Sequence, residues 1–164
     1  MLFKTEGIVL RTIKYGDTSI ISTLLTSEFG IQTYIINGAR TSKKTGLKAN
    51  LFQLGTILDL VVYHHPQKNI QRIQEAKLNV VFNSIHLHPI KNALVIFFIE
   101  LVQRSILEPE KNDSLFSFCK KAIIQIEKNE AHKLANFPVY ITIRFAQLLG
   151  FGIQDNYSSE QKFF

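Results

Sequence analysis

Residues 4–37, KTEGIVLRTIKYGDTSIISTLLTSEFGIQTYIIN, decide the fold. Three runs rich in β-branched and apolar residues (4–14, 19–26 and 31–37) are separated by Gly16-Asp17 and by Glu28-Phe29-Gly30. Short β-forming runs punctuated by Gly and acidic turns at roughly ten-residue spacing indicate a meander of strands. A polar segment, 38–50, interrupts the pattern. Residues 53–63 and 69–77 then supply two more strands around His64-His65-Pro66. Five short strands with a longer connection after the third fit a small closed barrel, of which the OB-fold is the commonest five-stranded form.

Beyond residue 77 the period changes. Pro89 suits the first turn of a helix, where a missing N–H costs nothing. Behind it Ile90, Ala93, Leu94, Phe97, Phe98, Leu101 and Val102 recur at three- and four-residue intervals. This helix should end near Leu107, ahead of Glu108-Pro109. Asn112 or Asp113 can cap a second helix presenting Leu115, Phe116, Cys119, Ala122, Ile123 and Ile126. A third opens at Asn136-Phe137-Pro138 and stops at Gly150. The expected organisation is an N-terminal five-stranded OB-fold, residues 1–77, followed by an all-helical domain, residues 78–164. No Pro- or Ser-rich linker separates the two, so they should pack directly on each other.

Composition narrows the function. The 164 residues are 46% hydrophobic, enough for a buried core, and carry a formal charge of +6 with a sequence pI of about 9.5. Residues 1–77 hold ten Lys and Arg against five Asp and Glu, whereas residues 78–164 hold nine against eight. The excess positive charge sits in the barrel half, which points to an anionic partner there. Cys119 is the only cysteine, so neither an intrachain disulfide nor a cysteine-based zinc site can form within the chain. The most apolar stretch, 93–99, is bounded by Lys91 and Glu100 and is too short for a membrane span of about 20 residues. A soluble cytoplasmic protein without a membrane partner is expected.

Four cations (Arg40, Lys43, Lys44 and Lys48) fall among hydroxyls and glycines in the stretch GARTSKKTGLK, residues 38–48. Small residues let a phosphate backbone approach, Arg binds phosphate in bidentate fashion, and Lys adds flexible point charges. The same run would also serve as a solvated loop. It is not a nucleotide-binding P-loop, because Ser42 stands where the second glycine is needed. Arg11 and Lys14 lie on the first strand with Tyr15 beside them, and Tyr34 lies on the third. The two tyrosines are candidates for base stacking, with the cations meeting phosphates, although Tyr34 alternates with Ile35 and fits a core position as well. His64, His65, His86 and His88 lack the carboxylate or cysteine that would complete a metal site. No nucleophile–base pair, carboxylate pair or dinucleotide signature stands out, so neither an enzyme nor a cofactor is expected.

Lys4-Thr5-Glu6-Gly7-Ile8-Val9-Leu10-Arg11, Tyr15-Gly16-Asp17 and Leu24-Leu25-Thr26 ahead of Gly30 resemble the opening of the RecO DNA-repair family. Gly38-Ala39-Arg40 with the following lysines resembles that family's basic segment, and Gln74-Glu75-Ala76 the end of its barrel. Glu100-Leu101-Val102, Leu115-Phe116 and Leu148-Leu149-Gly150-Phe151 follow in order. The resemblance implies a nucleoid-associated mediator of the RecF pathway of DNA recombination and DNA-damage repair. Such a protein binds single- and double-stranded DNA, anneals strands and helps load the RecA recombinase, without nucleotide hydrolysis. Its implied partners are RecR and the C-terminal tail of single-stranded DNA-binding protein. Carried over by position, Arg40, Lys43 and Lys44 are the leading DNA contacts, with Arg11, Lys14 and Lys48 behind them. Many family members carry a four-cysteine zinc site that this chain lacks, and most continue with further helices, so the helical domain is expected to be incomplete at its C-terminus. The alternative is a protein-interaction adapter whose OB barrel is only a scaffold.

Overall fold

A computed structural model describes residues 1–41, 47–106 and 110–152. Five strands, β1 (Leu2–Tyr15), β2 (Ser19–Thr26), β3 (Gly30–Ile36), β4 (Ile57–Tyr63) and β5 (Ile70–Leu78), close into a barrel in the order β1-β2-β3-β5-β4. All neighbours are antiparallel except β3 and β5, which run parallel over Thr33–Ile35 and Ile70–Arg72. This is the OB topology expected from the sequence. Three helices follow, α1 (Pro89–Ser105), α2 (Asp113–Lys128) and α3 (Phe137–Leu148). No described helix is long and apolar enough to cross a membrane.

β1 is long because it serves two neighbours. Leu2–Ile8 pair with β4, and Gly7–Tyr15 pair with β2. The β2 register slips between Val9 and Arg11, leaving Leu10 as an extra residue that bends the strand and reverses which side chains point outward. Before the bulge, Ile8 and Leu10 face the helices while Val9 enters the barrel core with Leu24, Leu58 and Leu60. After it, Arg11, Ile13 and Tyr15 are exposed, and Thr12 turns inward to donate to the Phe52 carbonyl at 2.8 Å. The Leu10 carbonyl accepts from Gln103 Nε2 of α1 at 2.6 Å.

The helices bury one shared core against the barrel. Ile8, Leu10, Leu25 and Ile57 join Leu94, Val95, Phe98, Ile99, Val102, Phe116, Cys119 and Ile123 in it. Gly55 lets α1 come close: its φ of +77° favours glycine, and a Cβ there would lie 2.5 Å from Val95 Cγ1. Lys120 of α2 pairs with Glu6 of β1 at 2.8 Å. The barrel-to-helix connection is clasped by Glu127, whose carboxylate accepts from the backbone N–H of Asn83, Ser84 and Ile85 at 2.9, 3.0 and 2.9 Å. Buried Lys91 donates to Ser84 Oγ and to the Glu127 carbonyl beside it. Burial pushes the Glu127 carboxyl up, but the backbone donors outweigh it and hold the group below its ordinary range.

Helix boundaries follow the local chemistry. Asn112 caps α2 by accepting from Leu115 N at 2.9 Å, Pro89 opens α1, and Gly150 follows α3 with a φ of +87°. The fourth strand starts later than the sequence suggests. Residues 53–56 form a turn closed by Thr56 N donating to the Gln53 carbonyl, because the left-handed Gly55 cannot continue a strand. Short 3₁₀ turns at Ala49–Phe52 and Ala131–Leu134 carry no sequence signature that singled them out.

Candidate nucleic-acid interface

The cationic segment is anchored where it leaves β3. Gly38, with a φ of +68°, turns the chain, and Thr41 closes the turn through its N–H and hydroxyl on the Gly38 carbonyl. Arg40 then grips the β1–β2 hairpin twice. Its backbone N–H donates to the Thr18 carbonyl at 2.9 Å and its guanidinium to the Gly16 carbonyl at 3.2 Å. At the far end Ala49 N–H bonds the Ala39 carbonyl, and Lys48 Nζ reaches the Thr41 carbonyl at 3.0 Å. The two ends of the segment are thereby stitched together.

This arrangement gathers several of the expected site residues. Arg40 is exposed against the hairpin that carries Arg11, Lys14 and Tyr15. Arg11 and Tyr15 share the outer face of β1, Lys14 alternates to the opposite side, and Tyr15 is 53% exposed. Lys48 is half-buried, with its ammonium engaged on the segment itself. Lys43 and Lys44 lie outside the described residues.

Tyr34 requires a correction. It is fully buried inside the barrel among Val9, Ile20, Ile36 and Leu58, and cannot act as a stacking platform. Strand alternation places it on the inner side with Ile36, leaving Ile35 outermost. Its hydroxyl has no hydrogen-bond partner among the described residues, and burial pushes the phenol well above its ordinary range.

A groove of about 920 Å³ runs along the β3–β5 seam on the other flank of the same segment. Asn37 and Leu47 form one wall, and the β4–β5 connection supplies His64, His65 and Lys68. Arg72 of β5, paired across the strands with Ile35 and Tyr63, completes the basic lining. His64 is stacked on Phe29 with ring centroids 4.0 Å apart, and Phe3 meets both rings edge-on. Burial, His65 and the N-terminal ammonium together hold the His64 imidazole below its ordinary pKa. Sequence reasoning missed Lys68 and Arg72, because nothing local connects them to residues 37–47. Only the excess charge of the first half hinted at more than one basic surface. Among the described residues, no three His, Cys, Asp or Glu side chains come together as a metal site.

The chain matches two family models end to end: "Recombination protein O N terminal" over residues 1–82 and "Recombination protein O C terminal" over residues 86–160. It belongs to the RecO family. The DNA repair protein RecO of Flavobacterium psychrophilum is 34% identical over 164 residues, covering 100% of this chain and 68% of its relative. That of Christiangramia forsetii is 33% identical over 159 residues, covering 94% and 66%, and that of Phocaeicola vulgatus is 32% identical over 150, covering 92% and 61%. This RecO-family chain therefore spans about two thirds of the length of the relatives it matches. Within it the first family model covers all five strands, and the second covers all three described helices.

Proposed function

We propose that the chain is a non-enzymatic DNA-binding recombination mediator, with the barrel (residues 1–77) as its DNA-binding unit and the helical half (78–164) as its docking unit. The observation that carries the reading is the grip of Arg40 on the β1–β2 hairpin, which joins the cationic segment to the hairpin bearing Arg11, Lys14 and Tyr15. Cations there neutralise phosphates and Tyr15 offers an exposed ring to a base, with Lys43, Lys44 and Lys48 as further phosphate contacts by their place in the sequence. Membership in the RecO family supports the finer roles: binding single- and double-stranded DNA, annealing strands and helping load RecA. RecR and the tail of single-stranded DNA-binding protein are the partners of the helical half on this reading.

Neutralised phosphates release counterions, so affinity falls steeply with salt. The test is a fluorescence-anisotropy titration of labelled single-stranded DNA at low and physiological salt. It compares the intact chain with an Arg40→Ala/Lys43→Ala/Lys44→Ala variant. Salt-sensitive binding lost in the variant is the expected result. Binding that ignores salt, or survives the triple substitution, overturns the assignment of this surface.

A further inference from the structure

We infer that Gln103 of α1 is a positioning residue for DNA binding: its amide, by holding the Leu10 carbonyl, keeps the extra residue of β1 at position 10 and Arg11 and Tyr15 in the register that meets DNA. The inference rests on the DNA-binding reading of the hairpin and adds to it a part for the helical half.

Three observations carry it. First, Leu10 has no partner on β2, because Val9 pairs with Leu24 and Arg11 with the adjacent Thr23. A shielded carbonyl outside the ladder needs a donor from elsewhere. Gln103 Nε2 supplies one at 2.6 Å from 93 positions away. The Leu10 side chain lies in the helical core with Val102, the residue before Gln103. Backbone and side chain of the extra residue are thus both held by the helices.

Second, the neighbouring position is one of the proposed DNA contacts. Moved one place along β1, the bulge would fall on Arg11, and Leu10 would take over the pairing with Thr23. Arg11 would then leave the ladder that aims it outward. Burial of the Leu10 side chain opposes that step, and Gln103 opposes it through the backbone.

Third, both arms of the candidate interface hang from this kink. Downstream of it runs the hairpin. Thr12 donates to the carbonyl of Phe52, the last residue of the 3₁₀ turn that follows the cationic segment, at 2.8 Å. Val9 joins the 53–56 turn, accepting from Gly55 N–H at 2.8 Å and donating to the Thr56 carbonyl at 2.9 Å. Val95 of α1 presses on that same turn at Gly55. One helix therefore bears on the kink at two points, through Val95 and through Gln103.

The test is a double-mutant cycle, read as anisotropy of a labelled oligothymidine at physiological salt. It compares the intact chain, Gln103→Met, Arg11→Ala/Tyr15→Ala and the combination of all three substitutions. Methionine keeps the length of the side chain and loses the donor. Ile123→Val, in the same core and with no change of charge, controls for lost stability, and thermal melts are recorded for each variant. Gln103→Ala takes the place of Gln103→Met should that variant lose its melt. The expected result is a loss of about fivefold for Gln103→Met, within about twofold for Ile123→Val. The Gln103 effect should shrink to within about twofold once Arg11 and Tyr15 are gone, since residues that act through one another are not additive. A Gln103 loss that persists undiminished without them, a loss matched by Ile123→Val, or no loss at all overturns the positioning role. DNA binding at the hairpin still stands in those cases if Arg11→Ala/Tyr15→Ala weakens it. An intact chain that binds no DNA, or binds it equally well without Arg11 and Tyr15, overturns both readings.

Discussion

Removing the Glu127 carboxylate should loosen the connection between barrel and helices by a calculable amount. Three successive N–H groups donate to it, and hydrogen bonds to a charged acceptor contribute about 1.5–3 kcal/mol each. The Asn83 donor is exposed and turns to water when the carboxylate is lost, so its contribution is close to zero. The Ser84 and Ile85 donors are partly shielded, and Ile85 is buried. Glu127→Ala should then cost about 3 kcal/mol, and Glu127→Gln, which keeps one carbonyl acceptor, about half of that. Urea unfolding at pH 7 measures both. The sign of the pH dependence follows from the lowered carboxyl pKa. The group adds stability above its unfolded value of about 4.3 and loses that contribution as pH falls through the lower folded value. The gap between the native chain and Glu127→Gln should therefore be full at pH 7 and narrow progressively as pH falls below the unfolded carboxyl value. A cost for Glu127→Ala under about 0.5 kcal/mol, or a gap that does not change with pH, would refute the clasp.

Two further outcomes follow from the barrel interior and its contact with α1. Tyr34→Phe removes a buried hydroxyl that has no partner among the described residues, so stability should stay level or rise by up to about 1 kcal/mol, with DNA affinity unchanged; a loss of affinity without a loss of stability would return Tyr34 to the binding surface. Gly55→Ala places a Cβ against Val95 at a left-handed φ, and should cost about 2 kcal/mol or more in a thermal melt; a neutral result would mean that α1 does not press on this turn.

The barrel was legible because its punctuation is local. Gly16-Asp17 and Gly30 sit at the turns, β-branched residues fill the runs between them, and the change of period at Pro89 marks the helices. The caps at Asn112 and Gly150 were legible for the same reason, since a cap is satisfied by residues within one turn. What could not be read depends on closure. Tyr34 was assigned to two possible faces because its alternation with Ile35 does not say which side is the core; that is fixed by Val9 and Leu58 on other strands. The groove required the parallel contact of β3 with β5, which brings Ile35 beside Arg72 across 37 positions of sequence. Glu127 reads as one more charge on an amphipathic helix until the chain passes residues 83–85 in front of it.

The extra residue at Leu10 gives β1 two occupations. Upstream its outward side chains answer to protein, with Glu6 meeting Lys120 and Ile8 and Leu10 meeting the helical core. Downstream the outward positions, Arg11, Ile13 and Tyr15, answer to whatever lies in solution. One ribbon of backbone is thus mortar on one side of the kink and a tool edge on the other. Substitutions at the exposed edge change what the hairpin presents to solvent without disturbing the masonry. Deleting the single residue at the kink would leave the edge as it is, because Val9 and Arg11 already pair with the consecutive Leu24 and Thr23 and would alternate regularly, and would instead take the Leu10 side chain out of the helical core and straighten the strand.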